Sequence, residues 1–422
     1  MRSVKLILCI VGNLVICAPA QREPSPSTAR SKRIVIAAGA VFDGRGSVLH
    51  NTRVVIDGSR ILSIDPKAGP VDYDLRGLTV LPGWIDAHVH MTWSFGEDGK
   101  NAGMNRATQE AAFQTASNAW MTLMAGFTTV QSVGSPTDVP LRDAIAQGRL
   151  PGPRILTAIQ GLQGRGAQTG TADEIREYVR KQKEATADLI KIFASGGMLQ
   201  GEMTLSQEQL NAACGEAKKQ GLRTLVHAYR DAVRAATLAG CTQVEHGLGA
   251  SDDDLKLMAE KGTYFDPQDG LLIETFLRYR DRYLGTPLFN EGTFAGLEKA
   301  LPVHHELMRR AAEIPGLKIV YGTDAVAGAH GRNAEEFINR VRDGVTAMAA
   351  MVSANSLAAE ALGMVNRIGS IAPGLQADII ALDGDPLKDI TTVRRVVFVM
   401  KGGIVYKNTA RRALADSPLI GW

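Results

Sequence analysis

Between residues 81 and 365, short apolar runs alternate eight times with stretches of helical periodicity, and this rhythm leaves the chain few folds to choose from. The strand-like runs are 84–90, 127–133, 153–159, 188–195, 223–229, 243–247, 263–268 and 318–325. Between them, apolar residues recur every three or four positions, as in Arg106 to Met124, Asp173 to Ala185, Ser206 to Gln220, Asp231 to Ala239, Asp252 to Lys261 and Ala295 to Glu313. Thr171 with Glu174, and Ser206 with Gln209, have the spacing of capping boxes. Gly126, Gly221, Gly240 and Gly262 stand where helices should stop. Eight strand–helix units over this length predict an α/β fold of the (β/α)8 (TIM) barrel type. A doubly wound sheet is the alternative, but no Gly-x-Gly-x-x-Gly follows the first strand.

Both flanks of that region read as β structure. Arg33–Ala37, Thr52–Ile56 and Arg60–Ile64 are β-branched runs, and Asp57-Gly58 between the last two is a hairpin signal. After 365, Ala377–Leu382, Val393–Met400 and Ile404–Tyr406 continue the pattern. Neither flank is long enough for a core of its own. The expectation is a small composite β-sandwich domain from 33–80 plus 366–410, with the 81–365 barrel inserted in it.

The first twenty residues have the form of a signal peptide: Arg2 and Lys5, an apolar run to Cys17, then Ala18-Pro19-Ala20. Cleavage after Ala20 and export to a periplasmic or secreted location are expected, with 21–32 as a Pro/Ser linker and no stable membrane span once the signal is removed. Cys17 raises a lipoprotein alternative, against which bulky Ile16 argues. Cys214 and Cys241 remain; each sits in an apolar, helix-like context and is expected to pack as a buried thiol. A net charge of +3, with no basic run interleaved with aromatics, gives no support to a nucleic-acid partner, and none is expected.

The chemistry-bearing residues gather at the C-terminal ends of the predicted strands, the functional face of such a barrel. The first strand ends on His88-Val89-His90, and residues two apart in a strand leave the same face. The fourth carries Lys191 between Ile190 and Ile192, an awkward charge in an apolar run. The fifth ends on His227, the sixth on His246 and the eighth on Asp324. Any one of these alone reads as a satisfied core histidine or a helix cap. Together, four histidines and an aspartate suit a borderline-hard divalent ion such as Zn2+.

With these residues the chain resembles a metal-dependent amidohydrolase. The matching stretches are Leu81-Pro82-Gly83-Trp84-Ile85-Asp86-Ala87-His88-Val89-His90, Lys191, His227, Val244-Glu245-His246-Gly247 and Asp324, and the likeness covers about 33 to 407. Ile190-Lys191-Ile192 with Gly196-Gly197, and His227-Ala228-Tyr229, are closest to the Xaa-Pro and Xaa-Arg dipeptidase and imidazolonepropionase-like branch. The resemblance implies two divalent ions: His88, His90 and Asp324 on the first, His227 and His246 on the second. Lys191, N-carboxylated by carbon dioxide, bridges them. It implies metal-activated hydroxide, with Asp324 as proton carrier and Tyr229 on the substrate carboxylate or the oxyanion. It also implies a homo-oligomer.

Arg230 and Arg165 are candidate carboxylate grips. The loop 160–166 has no histidine, so relatives with one there make a contact this chain lacks. The segment 269–294, with Phe276, Tyr279, Tyr283 and Phe289, reads as a lid or as core. His304, His305 and His330 have no ligand-like placement. The expected activity is hydrolysis of an amide or peptide bond in a small substrate with a free carboxylate, a dipeptide or an N-acyl amino acid such as an ochratoxin-like amide. Alternatives are a cyclic-amide hydrolase, a deaminase or a non-catalytic metal-binding scaffold.

Overall fold

The computed structural model describes residues 33–103, 108–197 and 201–409. The signal and linker stretches at 1–32, and the expected helix start at Arg106, lie outside the described residues.

The chain opens with β1 (Arg33–Phe42), β2 (Val48–Asp57), β3 (Arg60–Ile64) and β4 (Tyr73–Pro82). Asp57-Gly58 turns β2 into β3, with Gly58 at φ 57°, a conformation that favours glycine. The last strands are β14 (Ile379–Leu382), β15 (Val396–Lys401) and β16 (Ile404–Asn408). The two ends of the chain meet in one seven-stranded sheet, ordered β16-β15-β14-β4-β1-β2-β3. Antiparallel pairing of β4 with β14, Pro82 opposite Ile379, joins them. The sheet curls, because beside β3 Ile61 N donates to Leu375 O at 2.8 Å on the chain leading to β14. Ile36, Val54, Ile56, Leu75, Ile379 and Phe398 fill the inside.

Between the flanks the fold is mixed α/β with parallel strands. One parallel sheet holds β5 (Trp84–Val89), β6 (Phe127–Ser132) and β7 (Arg154–Thr157). The other, from its first strand to its last, holds β8 (Leu162–Gln163), β9 (Leu189–Phe193), β10 (Arg223–Ala228), β11 (Gln243–His246), β12 (Tyr264–Asp266) and β13 (Lys318–Ile319). β8 is a short strand that the sequence pattern did not suggest. Hydrogen bonds span both gaps between these sheets. Asp188 N donates to Thr157 O at 2.9 Å. At the other gap Ala87 N donates to Tyr321 O and Asp324 N to His88 O, each at 2.8 Å.

The helices start and stop where the chain's chemistry asks. Thr171 and Ser206 cap helices Ala172–Glu184 and Gln207–Lys219 with complete capping boxes. Gly262, at φ 71°, ends Asp252–Lys261. Ile175, Val179, Leu210, Ala213, Val233 and Leu255 lay the helical faces on β9–β11 in one core. Cys214 and Cys241 depart from the expectation of separate thiols: they form a disulfide. Helix Gln207–Lys219 brings one beside the entry to β11, where the other sits, and separation in sequence hid that meeting.

The segment 269–294 contributes to the core. It holds helices Leu271–Arg278 and Arg280–Tyr283 and the start of Glu291–Glu313, and Phe276, Tyr283, Phe289 and Phe294 are buried with Trp93 and Val326. Tyr279 is half-buried and meets Phe95 at 5.6 Å between ring centroids.

Candidate metal centre

Six side chains from five strand ends converge. His88 is the last but one residue of β5 and His90 follows the strand; Lys191 lies inside β9; His227 is the last but one residue of β10 and His246 closes β11; Asp324 lies on the segment after β13. All are buried except His90, whose side chain retains 12% of its exposure. The lateral registers Leu225 with Lys191 and Ala228 with His246 set their heights. His246 and Asp324 take left-handed backbone, φ 65° and 50°. For side-chain-bearing residues that costs on the order of 1–3 kcal/mol, and it turns each ligand out of strand geometry, at the last residue of β11 for His246 and beyond β13 for Asp324.

Asp324 Oδ1 lies 3.3 Å from His88 Nε2 and 3.0 Å from His90 Nε2. Yet Asp324 Oδ1 and His88 Nε2 have no hydrogen-bond partner, and neither does His227 Nε2. Buried polar atoms without partners are rare and call for an explanation. Here the ligand atoms of His88, His90 and Asp324 lie within 4.8 Å of one another, which fits a cation among them. The His227 and His246 rings stand 4.6 Å apart, and His246 is 5.7 Å from His88.

The electrostatics favour the ligand forms. Burial pushes His88, His227 and His246 down, His227 to about 3, so their imidazoles are neutral. Burial alone would raise Asp324, but the side chains of His88, His90 and His246 around it outweigh burial and hold this carboxyl well below the usual carboxylate range. Lys191 is lowered by burial, against the opposing pull of Glu245, Asp324 and Asp266. A lysine so placed reaches its neutral amine more readily than one in water.

Tyr229 is fully buried; its ring lies 4.7 Å from that of His227 and 5.6 Å from that of His246. Burial raises its hydroxyl well above the ordinary range, so it remains a donor. Arg165 and Arg230 are exposed. Arg230 runs along Gly249, where a Cβ would come within 2.8 Å of Arg230 Cγ, and Arg165 sits in the loop after β8. The structure thus gathers the six ligand candidates and Tyr229, and leaves both arginines on the surface. His330 Nε2 meets His90 O at 3.2 Å and so braces the loop of a ligand.

Several buried polar residues had been given no role. Asp86, on the same strand face as His88, accepts from Thr323 Oγ1 at 2.7 Å, Thr323 N at 3.1 Å and Asn333 Nδ2 at 2.8 Å, fastening β5 to the segment that carries Asp324. Glu245, Asp266, Gln268 and Arg340 lie behind His88. The available signal was an acid two residues before a ligand in Asp86-Ala87-His88 and immediately before one in Glu245-His246.

Comparison with known proteins gives a consistent set of likenesses. The sequence profile described as Amidohydrolase family matches residues 79–405. An ochratoxinase of Aspergillus niger is 27% identical over 444 aligned residues, covering 92% of this chain and 90% of the relative. A crystal structure of a Xaa-Pro dipeptidase with bound methionine in the active site superposes with a TM-score of 0.81 at 30% identity, over 89% of this chain and all of that one. A prolidase complexed with N-methylphosphonate-L-proline superposes with a TM-score of 0.79 at 27% identity, over 90% of this chain and all of that one.

Proposed function

The chain belongs to the amidohydrolase family and is a hydrolase of carbon–nitrogen bonds, and from that premise we propose that it cleaves the amide or peptide bond of a small substrate with a free carboxylate, a dipeptide or an N-acyl amino acid. The names of the ochratoxinase and the Xaa-Pro dipeptidase support this substrate class. The observation that carries the reading is the buried grouping of His88, His90 and Asp324, whose ligand atoms lie within 4.8 Å of one another, with the rings of His227 and His246 beside it.

In this reading the two parallel sheets are the halves of one (β/α)8 barrel, inserted in the composite β domain. His88, His90 and Asp324 would hold one divalent ion, zinc by preference, and His227 and His246 would hold a second. Lys191, its amine neutral through burial, would take up carbon dioxide as a carbamate with loss of one proton and so supply the site with anionic oxygens in place of an ammonium. Such ions supply a water of lowered pKa and polarise a carbonyl. Asp324, kept ionised, takes the proton of the attacking water and passes it to the leaving amine. Tyr229, kept protonated, donates to the oxyanion or to the substrate carboxylate. Arg230 and Arg165 stay candidates for the carboxylate from the rim.

Export rests on residues 1–20 and is supported by the Cys214–Cys241 disulfide, a bond favoured in oxidising compartments. N-terminal sequencing of mature protein should begin at Gln21; an intact Met1 argues against export. Assembly as a homo-oligomer is read by light scattering.

The functional test is a panel of Xaa-Pro and Xaa-Arg dipeptides and N-acyl amino acids, assayed with zinc and after chelation. Turnover that a chelator abolishes and zinc restores is the expected result. Turnover of a lactam or an aminopyrimidine alone would move the reading to a cyclic-amide hydrolase or a deaminase. Bound metal with no turnover of any class would leave a scaffold.

A further inference from the structure

The polar chain behind His88 has no part in the reaction just described. Both His88 and Glu245 are fully buried, and His88 Nδ1 lies 2.5 Å from Glu245 Oε2. The same Oε2 accepts from Gln268 Nε2 at 2.7 Å, and that amide also donates to Asp266 Oδ2 at 2.7 Å. Asp266 Oδ1 accepts from an Arg340 guanidinium nitrogen at 3.1 Å. Arg340 in turn binds Glu336 Oε1 at 3.3 Å and Val320 O at 2.9 Å.

Each link has been accommodated at some cost. Gln268 takes a left-handed φ of 45°, and its Oε1 is buried without a partner. Gly322 leaves room for the second carboxylate: a Cβ there would lie 1.8 Å from Asp266 Oδ2 and 3.0 Å from His88 Cβ. The left-handed turn at His246 lets adjacent Glu245 and His246 both face the centre, where strand alternation would separate them.

A neutral imidazole carries one proton. On Nε2, that proton would lie between His88 and Asp324, 3.3 Å apart, and Nδ1 would set a lone pair against Glu245 Oε2, 2.5 Å away, with only the Gln268 amide to offset it, a donor 3.0 Å away that already serves Glu245 and Asp266 at 2.7 Å. On Nδ1, it satisfies Glu245 and frees the Nε2 lone pair. We propose that Glu245 is the positioning residue of the metal centre: it fixes the tautomer and ring orientation of His88, with Gln268, Asp266 and Arg340 holding its carboxylate in place. The inference rests on the metal-centre reading above and adds a residue to it.

The test uses the full protein stripped of metal and the variants Glu245→Gln and Gln268→Met. Imidazole 15N shifts of the apo wild type should report His88 protonated on Nδ1, and Glu245→Gln should shift that population toward Nε2–H. Zinc titration against a competing chelator should show one equivalent weakened about 10–100-fold in Glu245→Gln, with the thermal midpoint of the apo protein unchanged. Gln268→Met should weaken the same equivalent by a smaller factor. The proposal is overturned if Glu245→Gln keeps wild-type zinc affinity, or if apo His88 is protonated on Nε2. Should Glu245→Gln not fold, wild-type affinity in Gln268→Met overturns it. A wild type that binds no metal defeats the metal-centre reading instead, and the 15N shifts still decide the tautomer.

Discussion

At the scale of single residues, the informative feature of this protein is where strand geometry breaks. The two-residue period placed His88 and His90 on one face, and the structure brings both within 3.3 Å of Asp324. The same rule hid Glu245, because a neighbour of His246 should point the other way; no sequence pattern announces the left-handed φ that overrides it. Lys191 was legible for the opposite reason, since a lysine between isoleucines in an apolar strand has no bland explanation. Lys191→Ala should cost at least one equivalent of metal, read by elemental analysis, and should lower turnover by a hundredfold or more, roughly the upper end of what losing an outer-shell partner costs. Two metals and near-normal turnover in that variant would redraw the site around the histidines and Asp324. His305 offers a test away from the centre. Burial alone would lower its pKa, but the hydrogen bond to Asp269 and the charges of Asp269 and Asp343, at 3.1 and 2.8 Å from Nδ1, outweigh burial and Arg342 and raise it. A raised folded-state value means stability fully present below the unfolded pKa of about 6.5 and lost as pH rises through the folded one. Urea midpoints of His305→Asn should therefore trail wild type most near pH 6 and converge as pH rises. A gap that widens with pH would refute the assignment.

At the scale of elements, the helices and the larger strands were written plainly, because caps, glycine stops and period-3.6 faces are local. What stayed hidden was whatever depends on two elements meeting. β8 is two residues long and exists only through its pairing with β9, Leu162 beside Ile192 and Gln163 beside Phe193. The aromatics of 271–294 had the spacing of core, and their burial with Trp93 and Val326 required a partner loop that no local pattern reveals. The cysteines belong here too: they were visible as residues but not as a pair. Closing a loop of this length, 27 residues in sequence separation, is worth about 2–4 kcal/mol, mainly through the unfolded chain. Cys214→Ser with Cys241→Ser should therefore lower the urea midpoint without changing the metal content. Loss of metal alongside stability would mean that the bond also holds β11, and with it His246, in place.

At the scale of the whole molecule, the alternation of strand and helix announced the parallel α/β body, and the β flanks announced a shared partner, but the order β16-β15-β14-β4-β1-β2-β3 could not be read from either. β1 and β4 pair parallel, an arrangement that local hairpin signals do not suggest. Arg154 on β7 pairs with buried Asp378 at 2.9 Å, tying the parallel body to the C-terminal flank. A chain truncated before β14 should consequently lose the parallel body as well as the sheet, recovered as insoluble protein or as one without a cooperative melt; a soluble, metal-binding fragment would show the flanks to be dispensable. The pairing of Pro82 with Ile379 also sets a clock. Ribosomes add about 5–20 residues each second, so β4 waits roughly 15–60 s for the strand that completes it. During that interval its backbone edge is an open template for any other extended chain. The yield of folded protein in a cell is then governed by how well that one edge is shielded during synthesis, a kinetic hazard that the finished molecule, with the edge sealed at the middle of its sheet, no longer displays.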